Sequence, residues 1–199
     1  MTAWPTVMVT GHRPQHLVPA AQSWVRSELR RLAVKLRDEH STQVGVSGMA
    51  LGADTWWAEA VNEAGLKLWA HIPFPQQADR WRQDDVHAWN NYLRRAWKLT
   101  TYGGYYDVRF LHARNAGMVD VADAAIAVWC PSKTTGGTAG AVRLLATKGI
   151  PVVHVNPEAW TTTLRRSDAS MPGTAPASTL AAEQPALVGL DGLGHSRGS

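Results

Sequence analysis

Hydrophobic and polar positions along the 199-residue chain switch repeatedly between a period of two and a period near 3.6. Residues 6–10 (TVMVT) are a short apolar run rich in β-branched side chains that stops at Gly11, the pattern of a buried strand. Val25, Leu29, Leu32, Ala33 and Leu36 then recur at helical spacing with arginine and glutamate between them, which predicts an amphipathic helix ending near His40. Residues 44–47 read as a second strand closed by Gly48. A helix begins at Asp54 with Trp57, Ala60, Val61 and Ala64 on one face, and Gly65 stands where helices commonly end. Residues 68–72 form a third strand stopped by Pro73. The pattern then predicts a long helix with Trp81, Trp89, Leu93, Ala96 and Trp97 as its inward stripe. A further helix closes over 118–122, followed by a strand at 124–129, a helix at 139–148 and a last strand at 151–155. Strands alternating with helices predict an α/β fold, a mostly parallel sheet covered on both faces. In such sheets ligands bind beyond the carboxyl ends of the strands.

Composition narrows the class. With 45% hydrophobic and 18% charged residues, the chain can bury a real core and is no disordered protein. Its single cysteine, Cys130, excludes an internal disulfide framework. No apolar run approaches the roughly eighteen residues of a membrane span, and the N-terminus lacks the charge and apolar stretch of a signal peptide. The expected compartment is therefore the cytoplasm, with no membrane partner. The net charge of +4 falls entirely before Ala159. Alanine, glycine, serine and proline dominate from Ser167 onward. We therefore expect a domain over 1–158 and a low-complexity, flexible tail over 159–199, with a short docking segment at 187–193. There are 10 Trp against 2 Phe and 4 Tyr; only Trp56 and Trp81 fall near the loops considered next.

Three predicted strand-to-helix loops are glycine-rich: Thr10-Gly11-His12-Arg13-Pro14, then Ser47 through Asp54 (SGMALGAD), then Thr135 through Gly140 (TGGTAG). Such loops let backbone N–H groups approach an anion, and a helix start behind them adds unpaired donors. Together the three can hold a phosphate, a ribose and a base. None carries the Lys-Ser/Thr of a Walker loop, and the first strand is not followed by a dinucleotide fingerprint.

The ordered set VTGHRP, SGMALGADTWWAEA, IPFPQQADRW, ARNAGMVDVADAAIAVW and GGTAGAV resembles the YpsA-like branch of the SLOG superfamily, over roughly 7–155. Relatives there include the LOG phosphoribohydrolases and the DprA-type single-strand DNA-binding proteins. The resemblance implies a Rossmann-like three-layer sandwich with a nucleotide-type site and no firmly assigned activity. In the LOG enzymes a similar stretch carries a catalytic arginine, which falls on Arg114; their catalytic glutamate falls on Ala141, so their hydrolytic mechanism does not carry over intact.

The leading expectation is a protein that binds a nucleotide or nucleotide-derived, ADP-ribose-like metabolite in a sensing or sequestering role, with no cofactor required. Gly136, Gly137 and Thr138 would take phosphate, and Gly48, Met49, Gly52 and Asp54 the ribose. Gly11, His12, Arg13, Arg114 and Asn115 would close the site, with Trp81 stacking on a base. The plainer alternatives are that His12 and Arg13 fix a loop, that Asp54 caps a helix, and that Trp81 packs in the core. If the protein is an enzyme, Asp54 and Arg114 are the catalytic candidates for N-glycosidic cleavage or transfer. A third reading is single-stranded DNA binding, although Arg26, Arg30, Arg31, Lys35 and Arg37, like Arg94, Arg95 and Lys98, read most simply as solvated helix faces. Histidine spacing gives no metal site. A homo-oligomer fits the resemblance.

Overall fold

The computed structural model describes residues 2–165; the docking segment expected at 187–193 lies outside the described residues. Seven strands and five helices follow in the order β1 (Thr6–Gly11), α1 (Pro19–His40), β2 (Val44–Ser47), α2 (Ala53–Glu63), β3 (Lys67–Ile72), α3 (Gln83–Arg95), β4 (Lys98–Thr101), α4 (Val108–Asp120), β5 (Ala124–Val128), α5 (Gly137–Thr147), β6 (Val152–Asn156) and β7 (Thr161–Arg165). They form one sheet in the order β4-β3-β2-β1-β5-β6-β7, parallel throughout except for the antiparallel β6–β7 pair. The fold is an α/β, Rossmann-like three-layer sandwich.

The two-residue period of the central strands divides the core in two. Val7 and Val9 of β1, with Ala124, Ile126 and Val128 of β5, pack under α1, α2 and α3. Met8, Ala125 and Ala127 point the other way, against Met118 and Val119 of α4 and Val142 and Leu145 of α5. Each of the buried positions predicted for α1 and α2 faces the first core. After β4 the chain returns across the sheet to β5, on the far side of β1. The carboxyl ends of β1 and β5 thus flank the point where strand order reverses, the place where open sheets of this kind leave a crevice.

Two stretches depart from the sequence pattern. The helix expected to carry Trp81 through Trp97 is shorter: α3 starts after Trp81, Ala96 turns extended (φ −64°, ψ 130°), and Trp97 is 54% exposed. Residues 98–101 become strand β4, because β3 offers a free edge to pair with and no proline or glycine marks the break. Residues 161–165, within the segment expected as tail, add β7 to the sheet; its three threonines are the β-branched signal that the neighbouring composition masked.

Close helix–sheet packing rests on Gly45 in β2. A Cβ there would overlap the Val61 side chain of α2 and crowd Trp57 Nε1 at 3.2 Å. Gly45→Ala is expected to lower unfolding free energy by about 1–3 kcal/mol through overpacking, read as an earlier midpoint in urea with unchanged slope.

Candidate functional site

A cavity of about 740 Å³ opens at that reversal point. Its floor is the end of β1, Met8 to Gly11. One wall is the β5–α5 loop, from Ser132 to Thr138; the other is α4, through Val108, Leu111, Arg114, Asn115 and Met118. The first turn of α2 contributes Asp54, the sole carboxylate among the described lining residues, whereas Arg13, Arg114 and Lys133 bring three cations.

The geometry is organised around Arg114. It lies in α4, its side chain only 10% exposed, and its Nη1 donates to the Gly48 carbonyl at 2.5 Å and to Asp54 Oδ2 at 3.2 Å. The Ala50 N–H reaches the same carboxylate oxygen at 3.4 Å, and Gln77 Nε2 also donates to the Gly48 carbonyl, at 3.1 Å. Position 48 has to be glycine for this approach, since a Cβ would overlap the guanidinium. Burial pushes the Asp54 carboxyl up, against the opposing pull of Arg114 and the Ala50 N–H. Arg114 keeps its charge, as guanidinium does in proteins, although burial works against it.

On the α2 side, Gly52 holds φ +99°. There the Ala53 N–H donates to the His12 carbonyl at 3.2 Å, joining the first and second glycine loops. Ser47 Oγ donates to the Asp54 carbonyl at 2.7 Å and accepts the Met49 N–H at 3.1 Å. On the α5 side, Thr138 Oγ1 donates to the Gly11 carbonyl at 3.0 Å, which fixes the helix start against the end of β1. Gly136, Gly137 and Thr138 border the cavity, and the first N–H groups of α5 have no intrahelical partner.

His12 is buried, and its Nε2 accepts the Cys130 N–H at 2.9 Å, so the neutral ring carries its proton on Nδ1. Burial, reinforced by His16 and Lys133, pushes His12 down to about 4. Behind Arg114, His71 contacts the Tyr102 hydroxyl through Nδ1 at 2.8 Å; burial and then the Arg114 charge push it down to about 4 as well. Burial pushes the Cys130 thiol up to about 11, so it stays protonated at neutral pH.

Of the residues singled out from the sequence, Gly11, His12, Arg13, Asp54, Arg114, Asn115, Gly136, Gly137 and Thr138 all line the cavity. Gly48, Met49 and Gly52 lie behind its lining, shaping the loop that holds Asp54. Trp81 does not line it: its ring stands edge-on to Trp89 at 6.2 Å, against the core under α3. Trp56 is likewise buried in that core, beneath the Arg26 guanidinium at 5.1 Å. Ala141 is buried in α5 and absent from the lining. Sequence reasoning missed Lys133, His16 and His112. Lys133 was legible in principle, being the only cation between the end of β5 and the third glycine loop. His112 becomes a wall residue only because α4 runs along the cavity.

No family model and no curated protein matches the sequence. Among solved structures the chain is similar to DNA processing protein A from Streptococcus pneumoniae (TM-score 0.58, 21% identity, 76% of this chain on 50% of that one). It is similar also to DNA processing protein A from Helicobacter pylori, described for its single-stranded DNA binding mode (0.54, 20%, 76% on 65%). The molybdenum cofactor binding protein from Rippkaea orientalis follows (0.50, 18%, 75% on 75%). The chain thus spans about half to two thirds of the DNA processing proteins it matches. What the chain shares with them is the fold, a Rossmann-like α/β sandwich.

Two outcomes follow from the buried charges. Arg114→Leu strands the Asp54 carboxylate and is expected to lower stability by about 3–5 kcal/mol, with most of the loss restored in Arg114→Leu/Asp54→Leu, as measured by urea unfolding. For His12 and His71 the folded state stays unprotonated down to about 4, whereas the unfolded chain protonates near 6.5. The unfolded state therefore binds more protons between those values. Stability is complete above about pH 6.5 and declines as pH falls toward about 4, by up to about 1.4 kcal/mol per unit for each histidine. His71→Gln is expected to make that decline shallower.

Proposed function

We propose that the cavity binds a nucleotide-type metabolite, an adenylate or ADP-ribose-like molecule, and that the protein acts by holding it. One observation carries this reading: the two helix starts at the cavity are chemically unequal. The α2 end is occupied by Asp54, whose Oδ2 is taken by Arg114 and the Ala50 N–H while the side chain still borders the cavity. The α5 end has free N–H groups and no carboxylate, with Lys133 and Arg13 around it. An anion is favoured at the second end and a hydroxyl donor at the first, the complement of a phosphorylated ribose. Leu111, Val108 and Met118 supply an apolar wall of the kind a base packs against.

The YpsA-like branch of the SLOG superfamily fits this arrangement. Its fold neighbours include a protein that binds a molybdenum cofactor and one that binds single-stranded DNA, so the fold accommodates both small ligands and strands. A cavity of about 740 Å³ has the size typical of small-molecule sites, which favours the small ligand. Asp54 is committed to Arg114, and Ala141 provides no second carboxylate, which leaves holding rather than cleavage as the chemistry these residues support.

Isothermal titration with AMP and ADP-ribose tests the proposal. Saturable binding of at least one is expected. Gly137→Leu, where open space surrounds the added Cβ, should abolish binding without changing the thermal midpoint, and Lys133→Ala should weaken it by about tenfold. Absence of saturation for both compounds, or unaltered affinity in Gly137→Leu, would overturn it.

A further inference from the structure

Strand β4 ends the sheet, and its outer edge pairs with nothing among the described residues. Its inner edge pairs with β3 in parallel register, Trp69 beside Lys98 through Ile72 beside Thr101. The Tyr102 N–H donates to the Ile72 carbonyl at 3.2 Å. Because strand donors alternate sides, the N–H groups of Leu99 and Thr101 point away from β3.

The same edge is both apolar and cationic. Among the described residues, Leu99 in β4 and Trp97 just before it are large hydrophobic side chains left 49% and 54% exposed. Lys67, Arg94, Arg95 and Lys98 form no ion pair among the described residues, and no acidic residue occurs between Asp85 and Asp107. The basic stretch of α1 behaves oppositely. Its Arg30, Arg31, Lys35 and Arg37 are each paired with a carboxylate. The lysines are also held in place: Nζ of Lys67 stands 5.4 Å from the Trp97 ring and that of Lys98 3.9 Å from the Trp69 ring.

We propose that β4 is a docking edge for an extended acidic peptide of a partner protein, which joins the sheet as an eighth strand. Outward N–H groups two residues apart match the carbonyl spacing of an incoming strand. The unpaired cations select acidic side chains, and Leu99 and Trp97 supply apolar contacts between them. A second copy of this chain is disfavoured, since pairing β4 with itself would bring like charges together. A nucleic acid strand would stack poorly here, since one face of the Trp97 ring is covered by Lys67.

The full chain should be titrated into a fluorescein-labelled peptide of about eight residues alternating glutamate and valine, with anisotropy as the readout. Saturable binding is expected, weakening as salt rises from about 50 to 200 mM. Amide exchange at Leu99 and Thr101 should slow. Arg94→Glu/Arg95→Glu, at an exposed helix end, should weaken binding by about tenfold. Thr101→Pro, which removes an outward donor and leaves the β3 ladder intact, should do the same. A lysine–valine peptide should not bind. The proposal is overturned by absence of saturation, by unchanged exchange at both amides, or by stronger protection of them from an oligothymidylate or from self-association.

Discussion

A single guanidinium group joins the two sides of the sheet. Arg114 comes from α4, which packs on one face, and grips the β2–α2 connection, whose helix packs on the other. A buried cation is tolerable only with partners, and Arg114 takes a carbonyl and a carboxylate from the same eight-residue loop. The absence of a side chain at position 48 makes the approach possible. The Asp54 carboxylate is held by that contact, and the Arg114 charge adds to burial in displacing His71 from its ordinary titration range.

Much of this was legible from residue pattern. Strands β1, β2, β3, β5 and β6 announce themselves through β-branched and alanine-rich runs bounded by glycine or proline, and α1 through five apolar positions at helical spacing. The glycine loops told which strand ends would carry chemistry, and nine of the singled-out residues meet at one cavity. What escaped has a common cause. Strands β4 and β7 are four and five residues long and partly exposed, so they carry little periodicity, and tertiary pairing decides them. Trp81 was drawn toward the site by its proximity in sequence to a strand end, yet the turn before α3 sends its ring to Trp89. The Arg114–Gly48 contact spans 66 positions and leaves no local trace.

The distribution of unpaired charge separates surfaces that composition alone merges. Arg30, Arg31, Lys35 and Arg37 on α1 are neutralised by glutamates and aspartate of α1 and α2, so most of that long basic stretch is electrostatically quiet. The cavity and the β4 edge retain theirs. Unmatched charge is available for a ligand, and these two places lie on opposite sides of β3 and β2.

The inequality of the two helix starts at the cavity gives the site a handedness of entry. A molecule carrying an anion at one end and hydroxyls at the other meets complementary groups in one orientation and like-charged or mismatched groups when reversed, with the Asp54 carboxylate facing its anion. Molecules of similar size but symmetric charge, such as diphosphates with an anion at both termini, would suffer that mismatch however they turned. A site built this way would discriminate by the order of groups along a ligand as well as by their identity.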